Sequence, residues 1–415
     1  MVQAAVMGYG VVGSGVVEVL MQHTESIARR TKEEIGIKYI LDIRDFPDSP
    51  FREKFTKSFE DILNDDEVKV VAEVMGGVHP AYEFTRQLLE SGKSVVTSNK
   101  ELVATKGAEL LKIAKEHNVN YLFEASVGGG VPIIRPLSQC LAANDVIEIA
   151  GILNGTTNFI LTKMIRENMS FADALAMAQQ LGYAERNPAA DIEGHDASRK
   201  ISILASLAYG KHVYPEYVHT DGITRITLED VAYAASWGGV IKLIGQVKRL
   251  EDDTLDITVE PMLIEKNSQL ANVDDVFNGI LVRGDSTGDV VFYGKGAGKL
   301  PTASAVVADI IDCVKHLKKR KYFDWADGDA SLVKPYEETS FPVYLRLKTD
   351  ISKQALTEKV QTLFPNAREI VRANAAPDEY AFATEEMTVG AREKALAALE
   401  EGGVQVLSKI RISDL

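Results

Sequence analysis

The first third of the chain alternates short apolar runs with stretches of helical period. "VQAAVMG" leads into "SGVVEVLMQHTESIARR" and "IKYILDI", and further on come "VKVVAEVM", "PAYEFTRQLLESGK", "SVVTSN", "GAELLKIAKEHN" and "VNYLFEA". Apolar runs that alternate with helical segments at this spacing imply right-handed βαβ units and a mostly parallel sheet covered on both faces. The predicted fold class is α/β, with a doubly wound, dinucleotide-binding Rossmann domain over residues 1–130. From about Val131 the texture changes. Longer helical stretches, "FADALAMAQQLG" and "DASRKISILASLAYG", mix with the strand-like "TLDITVEPMLI", "GILVRGD" and "GDVVFYG", which predicts an α+β domain over 131–299. The helix "ASAVVADIIDCVKHLKK" is expected to return over 300–320 and pack on the first domain. After a polar, turn-rich linker at 321–340, residues 341–415 read strand, helix, strand, strand, helix, strand, the ferredoxin-like βαββαβ order.

Gly8-Tyr9-Gly10-Val11-Val12-Gly13 forms a GxGxxG between the first apolar run and the first helical stretch. In that context Gly8 makes the tight turn, Gly10 admits a pyrophosphate close to the backbone, and Gly13 lets the helix pack closely on the strand. The helix N-terminus then offers N–H donors to the phosphates. At the end of the second strand, "LDIRD" carries two residues with opposite implications. Asp42 suits a free ribose 2′-hydroxyl and hence NAD, or simply points to solvent; Arg44 suits the 2′-phosphate of NADP, and its place at the strand's carboxyl end favours NADP. A later strand runs into "TSNKELVA", which puts Ser98, Asn99 and Lys100 at the sheet's carboxyl edge. A lysine at a helix N-terminus opposes the helix dipole, so Lys100 is a candidate for more than solvation.

The 415 residues suffice for two or three domains, and 46% hydrophobic with 26% charged residues describes a globular chain. A net charge of −14 repels phosphate backbones and anionic lipid, so no nucleic-acid partner is expected, and a small-molecule partner is. No apolar run reaches the roughly 18 residues of a membrane span, and the N-terminus lacks a basic leader. The expectation is a cytoplasmic protein without a membrane partner. Cys140 and Cys313 stand far apart, and no HExxH pattern accompanies them, which points away from disulfides and transition metals.

Several further motifs occur in order: "GGVHPAYE", "VVTSNKELVA", "EASVGGGVPII", "GILNGTTNFIL", "GYAERNPAADIEGHDASRK" and "GKGAGKLPTASAVVADI". With the glycine loop, they resemble the homoserine dehydrogenase family from residue 2 to about 320. The resemblance implies NAD(P)H-linked interconversion of L-aspartate 4-semialdehyde and L-homoserine, on the route to threonine and methionine. It implies that Glu185 meets the substrate ammonium, with Gly155, Thr156 and Tyr183 beside it, and that Asp191 lies on the side of the reacting oxygen. Lys200 would donate the proton, Asp196 would orient it, and Lys100 would share the duty. Asp196 and Lys200 stand four apart, so on a helix they share a face; without the motif they would read as an ordinary surface pair. Burial would lower the lysine pKa and the carboxylates would raise it.

By the same resemblance, Glu124 and the carbonyls of Val127, Gly129 and Val131 would hold a monovalent cation such as sodium, for which hard oxygen ligands are suited; a glycine-rich hinge is the other reading. Gly296 and Gly298 would close over the cofactor. The middle domain would bind substrate and build a homodimer or higher homo-oligomer. The C-terminal segment resembles an ACT domain, serving either an amino-acid effector or association alone; its first loop, "KTDISKQAL", lacks the glycine that close backbone approach favours. A different function class, a nucleotide- and amino-acid-sensing Rossmann-ACT protein without turnover, fits the domain list but does not require the full set of Glu185, Asp191, Asp196 and Lys200.

Overall fold

The computed structural model describes residues 1–321, 323 and 325–415. The first domain contains strands β1 (Val2–Met7), β2 (Ile35–Leu41), β3 (Phe55–Thr56), β4 (Val68–Glu73), β5 (Ser94–Thr97) and β6 (Tyr121–Leu122). Between them run helices α1 (Val11–Gln22), α2 (Thr24–Thr31), α3 (Phe59–Leu63), α4 (Ala81–Glu90) and α5 (Lys100–Glu116). The strands are parallel in the order β3-β2-β1-β4-β5-β6. β5 is buried along its whole length and β1 over its last four residues because helices cover both faces of a parallel sheet. The connection reverses direction between β1 and β4, so the carboxyl ends of these two strands open a crevice where doubly wound folds hold ligands.

The second domain begins with β7 (Val146–Ile152), then α6 (Gly155–Glu167), α7 (Phe171–Gln180), α8 (Ala189–Ile192) and α9 (His195–Tyr209). After β8 (His219–Thr220) and α10 (Leu228–Trp237) come the long strands β9 (Gly239–Arg249) and β10 (Leu255–Glu265), then β11 (Phe277–Gly284) and β12 (Gly288–Lys295). These strands make an antiparallel sheet, β12-β11-β7-β9-β10. Helix α11 (Lys299–Lys315) then returns to the first domain. Its Ala303, Val306, Val307 and Ile310 share one buried cluster with Val16, Val17 and Leu20 of α1.

The C-terminal part holds β13 (Ser340–Phe341), β14 (Val343–Lys348), α12 (Lys353–Leu363), β15 (Arg368–Ile370), β16 (Glu379–Ala383), β17 (Met387–Thr388), α13 (Val389–Glu401) and β18 (Gln405–Ser413). Its main strands lie in the order β18-β14-β16-β15, each pair antiparallel. β18 also pairs in parallel with β10, Met262–Ile264 opposite Arg411–Ser413, so one sheet runs through both domains. The segment expected as a linker contains Tyr322 and Asp324, which lie outside the described residues. Of the rest, Lys321 bonds to Asn120 and Asp312 and Trp325 is buried against Phe123 of the first domain, while Ala326 and Val333 bridge to Lys211 and Leu255 of the second.

Alternation along β14 explains the seam. Val343, Leu345 and Leu347 face Leu356 and Val360 of α12 and Leu396 and Leu399 of α13. Arg346, on the opposite face, donates from Nε to Asp230 of α10 at 2.9 Å and from Nη1 to Glu379 at 3.1 Å, and the Tyr344 hydroxyl donates to Asp230 at 3.1 Å. The side chains of Arg346 and Asp230 are 7% and 0% exposed. Removing one partner of such a pair strands a buried charge, so Arg346→Ala is expected to destabilise the fold by about 3–5 kcal/mol. Urea unfolding measures it.

Candidate active site

The glycine loop has the shape the motif predicts. Gly8 has φ +96°, and a Cβ on Gly13 would stand 1.8 Å from the Gly8 carbonyl oxygen, so neither tolerates a side chain. Nothing lies within 4 Å of the Cβ position of Gly10, the N-cap of α1, and Val11 is exposed. That leaves an open cradle at the helix N-terminus, and it fits a dinucleotide pyrophosphate.

Asp42 lies just beyond the end of β2 and is buried, where the sequence also allowed a solvent-facing position. Its carboxylate accepts from the Tyr9 backbone N–H at 2.7 Å and receives the Arg44 guanidinium through Nε and Nη2, each at 2.9 Å. The Arg44 hydrogen bond is the largest influence on Asp42, and despite burial it helps hold the carboxyl well below its ordinary range. Asp42 thus fastens the glycine loop and aims Arg44, which stays exposed over the face of Phe46.

On the other side of the crevice the structure brings together Lys100, Asp191, Asp196 and Lys200. Lys100 is the first residue of α5, and Asp196 sits in the first turn of α9. Lys200 Nζ donates to Asp196 Oδ2 at 2.8 Å and to the Leu153 carbonyl at 2.7 Å, while Lys100 pairs with Asp196 Oδ1. The helical spacing that suggested a surface pair instead yields a buried one, with side-chain exposures of 9% for Lys200 and 4% for Asp196. For Lys200 burial outweighs the carboxylates and lowers the pKa. Burial pushes Asp196 up, but the Lys200 and Lys100 charges overcome it and hold the group well below its ordinary 3.8. Asp191 moves the other way, raised by burial and by the Asp196 charge.

Asn154 joins these carboxylates, and sequence reasoning passed over it. Its Nδ2 donates to Asp191 at 2.7 Å and to Asp196 at 2.8 Å, while its Oδ1 accepts from the Thr157 N–H and caps α6. An asparagine directly before an apolar-periodic helix is an N-cap signal. Gly155 and Thr156 open α6, and the Thr156 hydroxyl donates to the Tyr183 carbonyl at 2.7 Å. Glu185 stays apart: it is exposed on the turn between α7 and α8, and among the described residues its carboxylate has no partner. His195 begins α9 and lies 3.3 Å from Glu193, both exposed.

Glu124 is buried and already engaged. It accepts from the N–H groups of Ile133, Ile134 and Arg135 at 2.7 to 2.9 Å, closing the Val127–Val131 turn beneath it. A Cβ on Gly129 would lie 2.2 Å from the Gly296 carbonyl, and Gly130 N donates to the Lys295 carbonyl at 3.0 Å. The two glycine-rich loops therefore cross. Gly298 N-caps α11 and Ser98 is half-buried between Thr97 and Asn99. No group of three or more His, Cys, Asp or Glu side chains suited to a metal occurs among the described residues.

A parallel sheet with an open glycine cradle facing a buried lysine–carboxylate cluster defines a nicotinamide-dependent oxidoreductase. Comparison with known proteins makes this specific. Residues 132–311 match the family described as homoserine dehydrogenase, and residues 8–124 match its NAD binding domain. The homoserine dehydrogenase of Synechocystis sp. is 44% identical over 319 residues, covering 75% of this chain and 73% of that protein. A homoserine dehydrogenase structure from Thiobacillus denitrificans superposes with a TM-score of 0.89 at 34% identity, covering 100% of this chain and 98% of the other. A hyperthermophilic archaeal homoserine dehydrogenase mutant in complex with NADPH covers 75% of this chain and 97% of its own, with a TM-score of 0.65 and 29% identity. The chain belongs to the homoserine dehydrogenase family and is an NAD(P)-dependent oxidoreductase. No described helix is long and apolar enough to cross a membrane.

Asp196→Asn removes the charge that Lys200 and Lys100 share and is expected to destabilise the fold by about 3–5 kcal/mol at pH 7. Because the native pKa of Asp196 lies below its ordinary 3.8, its contribution is fully present above that value and fades as pH falls toward the depressed one. The variant and the parent should therefore converge in acid, as read by denaturant midpoints across pH.

Proposed function

We propose that Lys200 moves the proton in the interconversion of L-aspartate 4-semialdehyde and L-homoserine, with Asp196 and Lys100 setting its charge and aim. The observation that carries this is the environment of its amino group. An ammonium has three protons; the Asp196 carboxylate and the Leu153 carbonyl take two, leaving one for a substrate oxygen. Burial lowers the Lys200 pKa, which makes its ammonium a better proton donor than a solvated lysine. The glycine loop from Gly8 to Gly13 would hold the pyrophosphate of a dinucleotide whose nicotinamide would supply or accept the hydride. Asp191, held by Asn154, would face the reacting group, while Glu185 would meet the substrate ammonium beside Gly155, Thr156 and Tyr183. Glu185 is exposed and unpaired, which leaves its charge free for an incoming zwitterion.

NADP is the cofactor we assign, since Arg44 is exposed and fixed by Asp42 where the adenosine ribose of a dinucleotide falls. The NADPH complex of the archaeal relative supports the assignment. A monovalent cation would rest mainly on the carbonyls of Val127, Gly129 and Val131, because Glu124 has already accepted three N–H donors. The strand order of the C-terminal domain supports an ACT-like reading, and we assign it to association. The exposed Val291 and Tyr293 on edge strand β12 support a homodimer. A biosynthetic enzyme of this kind is assigned to the cytoplasm.

Lys200→Ala is expected to lower kcat for homoserine-dependent NADP reduction by about 10²–10⁴-fold, the usual worth of a positioned acid–base group. Absorbance of the reduced cofactor follows it. Arg44→Ala should raise KM for NADP on the order of tenfold, about 1.4 kcal/mol, and leave KM for NAD nearly unchanged. Equal effects on both cofactors would refute the phosphate role.

A further inference from the structure

One buried acid takes no part in the chemistry described so far. Glu73 ends β4, beside the crevice, and is wholly inaccessible to solvent. Burial raises the pKa of Glu73, and hydrogen bonds to both its oxygens offset part of that cost. Oε1 accepts from the Met75 N–H at 2.9 Å, and Oε2 accepts from the Thr97 hydroxyl at 2.7 Å.

Each bond continues into a functional element. The Met75 bond fixes the chain leaving β4 against the glycine loop, where a Cβ on Gly8 would stand 3.0 Å from the Val74 carbonyl and 3.1 Å from the Met75 Cα. The Thr97 oxygen also accepts from the Asn99 N–H at 2.9 Å. Asn99 in turn donates from Nδ2 to the Gly77 carbonyl at 2.6 Å and caps α5 by accepting from Leu102 N at 3.1 Å. The next residue is Lys100, which reaches Asp196.

We infer that Glu73 is a positioning residue that fixes the start of α5, and with it Lys100, relative to the cofactor turn. The inference rests on the reading of Lys100 and Asp196 as part of the reaction centre. Glu73 reaches Lys100 through Thr97 and Asn99. A glutamine there keeps the volume but presents an NH₂ to a site built for two incoming donors, so one bond of the relay is lost or reversed. A displacement of Lys100 by a fraction of an ångström leaves substrate affinity in place and lowers the rate of the aligned step.

The test compares Glu73→Gln, Thr97→Val and the double variant in the full-length protein, with thermal melting to show that each is folded. The expected result is a kcat for homoserine oxidation lowered about tenfold in each single variant, with both KM values within about twofold of the parent. The double variant should be no slower than the worse single variant, because both cut one relay. A second measurement does not depend on turnover: acetic anhydride labelling of Lys100, read by mass spectrometry against Lys106 on the same helix. Loosening the Lys100–Asp196 pair should raise the labelling of Lys100 severalfold and leave Lys106 alone. Parental kcat in Glu73→Gln, losses that multiply in the double variant, or unchanged Lys100 labelling would each overturn the inference. A parent without homoserine turnover would defeat the functional reading, while the labelling would still decide the role of Glu73.

Discussion

The site is organised around one carboxylate shared by two ammonium groups. Asp196 is almost wholly buried, and the charges of Lys100 and Lys200 keep it ionised there. Each lysine arrives from a different domain, Lys100 from the first turn of α5 and Lys200 from the second turn of α9. The pair therefore ties the NAD-binding domain to the second domain. Without Asp196 the two positive charges would lose the carboxylate that offsets their mutual repulsion. Asn154 donates to the same Asp196 oxygen as Lys200 while capping α6, which ties a third element to the same point.

Much of the first domain is legible in sequence because its physics is local. Apolar runs of strand length, helical periods between them and a GxGxxG at the junction leave little freedom in a parallel sheet. The lysine and acid residues of "YAERNPAADIEGHDASRK" are legible through the motif, whereas their burial is not. Spacing of four puts Asp196 and Lys200 on one helix face, but only packing against β7 decides whether that face meets water. The balance of influences on Lys200 is hidden for the same reason, since desolvation comes from residues far away in the chain. Asp42 illustrates a different limit: its role depends on Tyr9, 33 residues earlier. Asn154 and Glu73 carried signals, an N-cap asparagine and an acid inside an apolar strand, that a search for paired charges does not weigh.

The C-terminal order of elements is readable from alternating strands and helical periods, but its attachment is not. Tyr344 and Arg346 look like the polar face of an exposed sheet. In the structure that face lies on α10, where the carboxylate of Asp230 answers the arginine and also closes the capping box of its own helix. Arg411 repeats the device one strand over, donating to Asp256 and Glu260 of β10 from beneath the Phe341 ring. Polar residues on a strand can thus mark a domain contact as readily as a solvated surface.

The return of α11 to the first domain carries a consequence for how the chain acquires its shape. Lys299 of that helix pairs with Glu18 across 281 residues, and the apolar faces of α1 and α11 are buried against each other. The nucleotide-binding sheet is written at the start of the sequence, yet its covering layer is incomplete until the whole middle domain has emerged. Contacts so distant along the chain form slowly, because the entropy of closing the loop precedes their reward. Domain order along the gene is consequently not the order of completion. The earliest strands have one hydrophobic face only partly covered, by α1 and α2, until a helix synthesised long after them arrives.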